Sequence, residues 1–182
     1  MLESPLRRAG EACARRLMVI SRREWQVEKL SLDDGSAEDW DKKLPWTEPV
    51  HGMTITMKGC ALLFLYPPKT AVILGSRMAQ AYQALDSLSN RDVSTLGEIS
   101  NVMANTFAEE LMSFLPQDKP VSPPYHAHEG VKDLVLGALK KLKDPAAIGR
   151  VGFITMACED LSCSAAIVAL LEKAAVEAMR QA

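Results

Sequence analysis

The sequence predicts an α+β fold in which two helix-and-strand halves place one central antiparallel sheet between layers of helices. Three observations predict it. Met53, Ile55 and Met57 alternate with Thr54 and Thr56, the period-2 signature of a half-buried strand, and Lys58-Gly59 then turns the chain into the apolar run CALLFLY at 60–66. Helix-period segments stand on both sides of this hairpin. The order of elements then repeats: Gly10-Glu11 and Gly97-Glu98 hold the same place in two leading helices, and Gly59 and Gly149 each precede a strand. Those offsets are close to half the chain, which points to duplicated halves, about 1–88 and about 89–182.

The first helix is expected over 4–22, with Ser4 as N-cap and Pro5 at the first helical position, where its missing N–H costs nothing. WQVEKLSLDDG (25–35) predicts a short strand running into a turn, and the polar, proline-bearing segment 36–50 a loop. After the hairpin, Pro67-Pro68 stops the strand and 69–85 has helical spacing. A long helix follows from about 92 to 115, ended by Pro116. Residues 116–130 (PQDKPVSPPYHAHEG) form a proline-rich connection, and VKDLVLGALKKL (131–142) fits either a short helix or a strand with a basic turn. RVGFITMACED (150–160) predicts a buried strand closing on an acidic loop, and 164–182 a terminal helix of strong propensity.

Composition narrows the function classes. The 182 residues are 48% hydrophobic and 24% charged, with a formal charge of −2, so nothing favours nucleic acid or an anionic membrane as partner. Arg7, Arg8, Arg15, Arg16, Arg22 and Arg23 are interspersed with Glu3, Glu11 and Glu24, the pattern of a solvated helix face. No apolar run is long enough to span a bilayer, arginines interrupt any signal-peptide core, and the expected compartment is the cytoplasm. Cys13, Cys60, Cys158 and Cys163 have neither disulfide nor zinc spacing and are expected to be reduced and mostly buried.

One helix face stands out. In STLGEISNVMANTFAEEL (94–111), Ser94, Glu98, Asn101 and Asn105 fall within roughly 60° of one another at 100° per residue. Leu96, Ile99, Met103, Phe107, Leu111 and Phe114 centre on the opposite side and would face the core. Asn is a poor helix former, so two of them beside a Glu on one wet stripe call for an explanation beyond solubility. Glu98 and Asn101 are an i,i+3 pair and can act on one target.

The spacing Ser94-x3-Glu98-x2-Asn101-x22-Pro124 resembles, position for position, the Asp/Ser-x3-Glu-x2-Asn-x22-Pro signature of the CheC/CheX/FliY phosphatases. The resemblance is clear over 92–124 and coarse elsewhere. It implies a CheC-like fold of pseudo-two-fold halves and hydrolysis of the phospho-aspartate of a CheY-like response-regulator receiver, in chemotaxis signal termination. Asn101 would orient the attacking water and Glu98 would pair with the receiver's active-site lysine, with Ser94, Asn105 and Pro124 at the partner contact. It implies no cofactor bound by this chain, because the receiver supplies its own Mg²⁺. For Asn105 a contact and a plain surface role are both open.

The first half does not repeat the site: Glu11 matches Glu98, but Ala14 stands at the position of Asn101 and Arg7 at that of Ser94. A single complete site resembles the CheX-like members, and homodimer formation through an exposed sheet edge is expected on the same ground. The chain departs from the family after Pro124, where YHAHEG replaces an apolar strand. Two alternatives accompany this reading. One is a catalytically silent module docking on a receiver or flagellar-switch partner. The other is a metal site, since in extended chain His126 and His128 point to one side, where His51 or Glu129 could join them; paired histidines are more often polar surface, and no metal is expected. Neither a Walker loop nor GxGxxG is present, SCSA at 162–165 lacks the flanks of a nucleophile elbow, and the nine methionines fit gap-filling core positions.

Overall fold

The computed structural model describes residues 2–34, 40, 42–78, 88–111, 121–142 and 145–181. Its strands are β1 (Gln26–Asp33), β2 (Val50–Met57), β3 (Cys60–Tyr66), β4 (Tyr125–Glu129), β5 (Ile148–Cys158) and β6 (Cys163–Glu172). All pair antiparallel, in the order β1-β5-β6-β3-β2-β4. Exchanging β1 with β4, β2 with β5 and β3 with β6 gives that order read from the other edge, so the sheet has the expected pseudo-two-fold arrangement about its β6–β3 centre.

Helices cover both faces. On one lie α1 (Glu3–Ser21), α2 (Pro68–Met78), α3 (Asn90–Glu110) and α5 (Lys173–Gln181), and their apolar sides share a core with Met53, Ile55, Leu62, Phe64, Ile154 and Ile167. On the other, α4 (Val131–Lys140) together with Trp40, Leu44 and Trp46 closes a second core over Leu63, Leu65, Phe153 and Val168. The odd and even residues of β3 feed different cores, which is why CALLFLY is apolar throughout and fully buried. Gly59 makes the β2–β3 turn at φ 84°, where a Cβ would be strained.

Four expectations need correction. The chain over 163–172 is strand β6, not helix, and only 173–181 is helical. Burial on both faces gives a strand an unbroken apolar run, AAIVALL, and the good helix propensity of Ala and Leu imitates a helix there. The end of the proline-rich connection is strand β4, because YHAHE alternates and Pro124 precedes the ladder rather than interrupting it. Ser4 is not a cap: α1 begins at Glu3 with Leu2 as N-cap and no side-chain bond. Pro fits anywhere in a first turn, where N–H groups lack intrahelical acceptors, so Pro5 does not fix the start. The long helix begins at Asn90 rather than near 92, for a reason given below. The 131–142 segment is resolved as a helix, while the later part of the 69–85 helix and the Pro116 stop lie outside the described residues.

Candidate functional site

The signature stripe sits on α3, and the sequence fixes that helix at its start and along its inner side. Ser89 is the N-cap. Its hydroxyl oxygen accepts from Asp92 N at 3.2 Å while Asp92 Oδ2 accepts from Ser89 N at 2.9 Å, a reciprocal capping box. The S-x-x-D spacing was visible in the sequence and moves the start two residues earlier than periodicity alone suggests. Leu96, Ile99, Met103 and Phe107 are buried as expected. Beneath them Tyr66 of β3 shares a hydrogen bond of 2.9 Å with Ser100, and Cys13 Sγ of α1 donates to the Met103 carbonyl at 3.4 Å. These two polar ties within an apolar interface hold α3 in rotation and height.

Held in this way, α3 turns Ser94, Glu98 and Asn105 to solvent and leaves Asn101 half-buried. Among the described residues, the side chains of Glu98 and Asn101 have no hydrogen bond or ion pair. Asn105 differs, since its Nδ2 donates to the Asn101 carbonyl at 3.0 Å, one turn back. Pro124 lies beside the stripe: a Cβ built on Gly97 would be 3.7 Å from Pro124 Cγ, ordinary contact distance. The chain entering β4 is thus seated against α3 one turn before Asn101, which gives the distant Pro124 of the motif a physical place. Val102, 44% exposed on the same helix, is an apolar neighbour of the stripe that the sequence pattern had not singled out.

A second cluster forms on the edge of the sheet. His51 of β2 is the register partner of His128 of β4, and their rings stack at 4.1 Å between centroids, 5° from parallel. His51 Nδ1 and His126 Nε2 lie 3.1 Å apart, a hydrogen bond in which one ring donates and the other accepts. Of the two partners considered for the HxH pair, His51 joins it; Glu129 is adjacent to His128 and so projects from the other face. Burial, then the neighbouring rings of His128 and His126, push His51 down to about 4, and burial followed by His128 lowers His126. Stacked rings set their nitrogens side by side rather than around a common point. Among the described residues no group of three or more His, Cys, Asp or Glu is arranged to hold a metal ion.

The four cysteines are buried and free, and Cys158 and Cys163 face each other across the β5–β6 ladder. No described helix is long and apolar enough to cross a membrane.

The fold is that of the CheC/CheX/FliY and FliM group. No protein-family model matches the chain, and no curated protein matches it in sequence. Solved structures do match in shape. FliY from Thermotoga maritima superposes with a TM-score of 0.64 at 16% identity, covering 95% of this chain and 88% of that one. FliM in its complex with SpeE from H. pylori gives a TM-score of 0.64 at 12% identity over 99% and 92% of the two chains. A complex of CheX with CheY, BeF₃ and Mg²⁺ from Borrelia burgdorferi gives 0.54 at 12% identity over 93% and 97%. At these identities the superpositions establish a shared fold and no more.

Proposed function

We propose that this protein is a phosphatase that hydrolyses the phospho-aspartate of a CheY-like receiver, with Asn101 and Glu98 as its working pair. The observation that carries the reading is a helix whose inner face is locked while its outward Glu98 and Asn101 have no described partner. An acyl phosphate is already activated, so the remaining task is to hold water in line about 3–3.5 Å from phosphorus. A neutral amide suits it, donating to a phosphoryl oxygen and accepting from the water, where a carboxylate would repel the phosphoryl charge. Mg²⁺ in the receiver's own site would neutralise phosphoryl charge. Glu98 then meets a lysine of the receiver in a charge-assisted bond that strengthens as docking expels water. The work is done inside the partner's pocket, which requires an exposed, rigid helix rather than a cleft.

The motif and the CheX–CheY complex among the structural neighbours support this reading. In this reading residues 1–88 are the degenerate half and 89–182 the active one, the protein acts in the cytoplasm, and two copies associate through a sheet edge. A second reading, a silent docking module of the flagellar switch, is favoured by the FliM-type neighbours, which include a FliG–FliM complex. The test uses receivers from the same organism, phosphorylated with a small acyl-phosphate donor. With its receiver, the wild type accelerates phosphate loss and Asn101→Ala lowers that rate by roughly two orders of magnitude with binding retained. Binding without acceleration would replace catalysis by the docking reading, and turnover unaffected by Asn101→Ala would remove Asn101 from the chemistry.

A further inference from the structure

Among the described residues the exposed large apolar side chains are Met18 and Val19 on α1, Val102 on α3 and Tyr125 at the start of β4. Single exposed apolar residues are ordinary, so each needs a reason of place before it carries meaning. Tyr125 has a partner, since Lys141 Nζ lies 3.2 Å from its ring centroid. It also shares a strand face with Ala127, which packs on the α4 core and not on the α3 side. Val102 is different. A β-branched residue is a weaker helix former than alanine or leucine, so propensity does not explain a valine exposed in mid-helix. Nor does the fold require it: the match that sets Gly10 with Gly97 and Glu11 with Glu98 sets Arg15 at the position of Val102, and Arg15 is exposed. A charged side chain is accepted there in the half that lacks the Asn, and a valine stands there in the half that has it.

The geometry of α3 puts this valine at the border of the stripe. At about 100° per residue the order around the axis is Gly97, Asn101, Ser94, Asn105, Glu98, Val102. Pro124 lies against the helix at Gly97. The polar stripe is therefore bounded by Pro124 on one side and by Val102 on the other. Val102 stands one turn from Glu98, about 6 Å along the axis and about 40° around it. Helical side chains lean toward the N-terminus, which tilts Val102 toward Glu98. Beyond Val102 the exposed surface ends at Thr106, which is buried and whose Oγ1 donates to the Val102 carbonyl at 2.9 Å.

We infer that Val102 is a further contact residue of this face, packing on an apolar side chain that the receiver presents beside its phospho-aspartate pocket. This rests on the proposed function and deepens it, because it names a residue that selects among receivers. The receiver, rather than a second copy of this chain, is the occupant because the valine adjoins Glu98 and stands only in the half that holds Asn101. An apolar contact at the border adds affinity without demanding an exact angle, which complements the directional bonds of the amide and the carboxylate. It also keeps water from the pair formed by Glu98 and the receiver's lysine, and a charge-assisted bond is stronger where water is excluded. Val102 does not touch the reacting atoms, so it acts on docking and not on hydrolysis. A receiver with a polar side chain at the facing position is accordingly a poorer substrate.

The experiment measures steady-state phosphoreceiver turnover for the wild type, Val102→Ala, Val102→Ile and, as a control on an exposed valine away from the stripe, Val19→Ala. Val102→Ala is expected to lower kcat/KM about fivefold through KM, with kcat unchanged and the fold intact by circular dichroism. Val102→Ile, which keeps the apolar branch, should stay within about twofold of wild type, as should Val19→Ala. Wild-type kcat/KM in Val102→Ala overturns the inference and leaves the phosphatase reading in place. So does an equal loss in Val19→Ala, which would make the effect general to exposed valines, or a loss confined to kcat, which would place Val102 in the chemistry. Weaker self-association of Val102→Ala with receiver kinetics unaffected overturns it in favour of a second copy. If the wild type turns over no receiver, the phosphatase reading fails, and the variants are compared in binding to receiver activated with beryllium fluoride. Weaker binding of Val102→Ala there sustains the contact, and equal binding overturns it as well.

Discussion

Tyr66 and Ser100 show how much of the site rests on residues outside it. Their hydroxyls meet at 2.9 Å in a fully buried place, between the end of β3 and the helix that carries Asn101 one residue further on. Burial pushes the Tyr66 phenol well above its ordinary range, so it is a neutral donor or acceptor at any working pH. Tyr66→Phe leaves the Ser100 hydroxyl without this partner, and Ser100→Ala does the same to the phenol; each should destabilise the protein by about 1–2 kcal/mol in denaturant unfolding. Because both remove one interaction, the double variant should cost much less than the sum. Strict additivity would mean that the bond contributes nothing. Glu98 and Asn101 were legible in the sequence, since polar residues on a helical stripe announce themselves by spacing. The Tyr66–Ser100 tie was not, because 34 residues separate its members and nothing local marks them as a pair.

At the level of elements, β4 and β6 reveal opposite limits of pattern reading. β6 hides because central strands buried on both faces lose alternation; β4 hides because an edge strand rich in histidine looks like a loop. α1 and α3 were legible because each has one wet and one dry side, and the hairpin because Lys58-Gly59 marks its turn between two strand-length runs. The β4 edge also carries a pH dependence. His51 has a folded-state pKa of about 4, below its ordinary 6.5, so the folded protein favours the neutral ring. Its contribution is fully present above about pH 6.5 and is lost as pH falls from there through 4. The tyrosine of β3 is its cross-strand neighbour, and among described residues the charges acting on it are the other two imidazoles, so no carboxylate offsets the loss. Stability should fall by up to about 3 kcal/mol between pH 7 and 4 from this group. Unfolding midpoints for the wild type and His51→Leu, compared at pH 7 and 4.5, test this. The variant should have a shallower slope, and an equal slope would place the acid sensitivity elsewhere.

Across the whole molecule, the pseudo-two-fold arrangement makes α1 and α3 counterparts, yet the two helices sit differently on the sheet. A Cβ on Gly10 would come within 2.8 Å of Ile154 Cγ2, whereas the nearest atom to one on Gly97 is Pro124 Cγ at 3.7 Å. At this level α1 therefore lies directly against the sheet, while α3 meets the chain that leads into β4. One turn further along, Ala14 is 2% exposed where Asn101 is half-buried. The sequence showed that an Asn was missing from the first half; only the structure shows that its place is covered. Restoring the residue should consequently not restore a site. Ala14→Asn puts an amide into an apolar interface and should destabilise the protein by about 1–3 kcal/mol. Introduced into the Asn101→Ala protein, it should leave phosphoreceiver turnover at the Asn101→Ala level, measured at a temperature where both variants are folded by circular dichroism. Recovery of turnover in the double variant would show instead that α1 can move outward to meet a receiver, and that burial of position 14 does not decide which half is active.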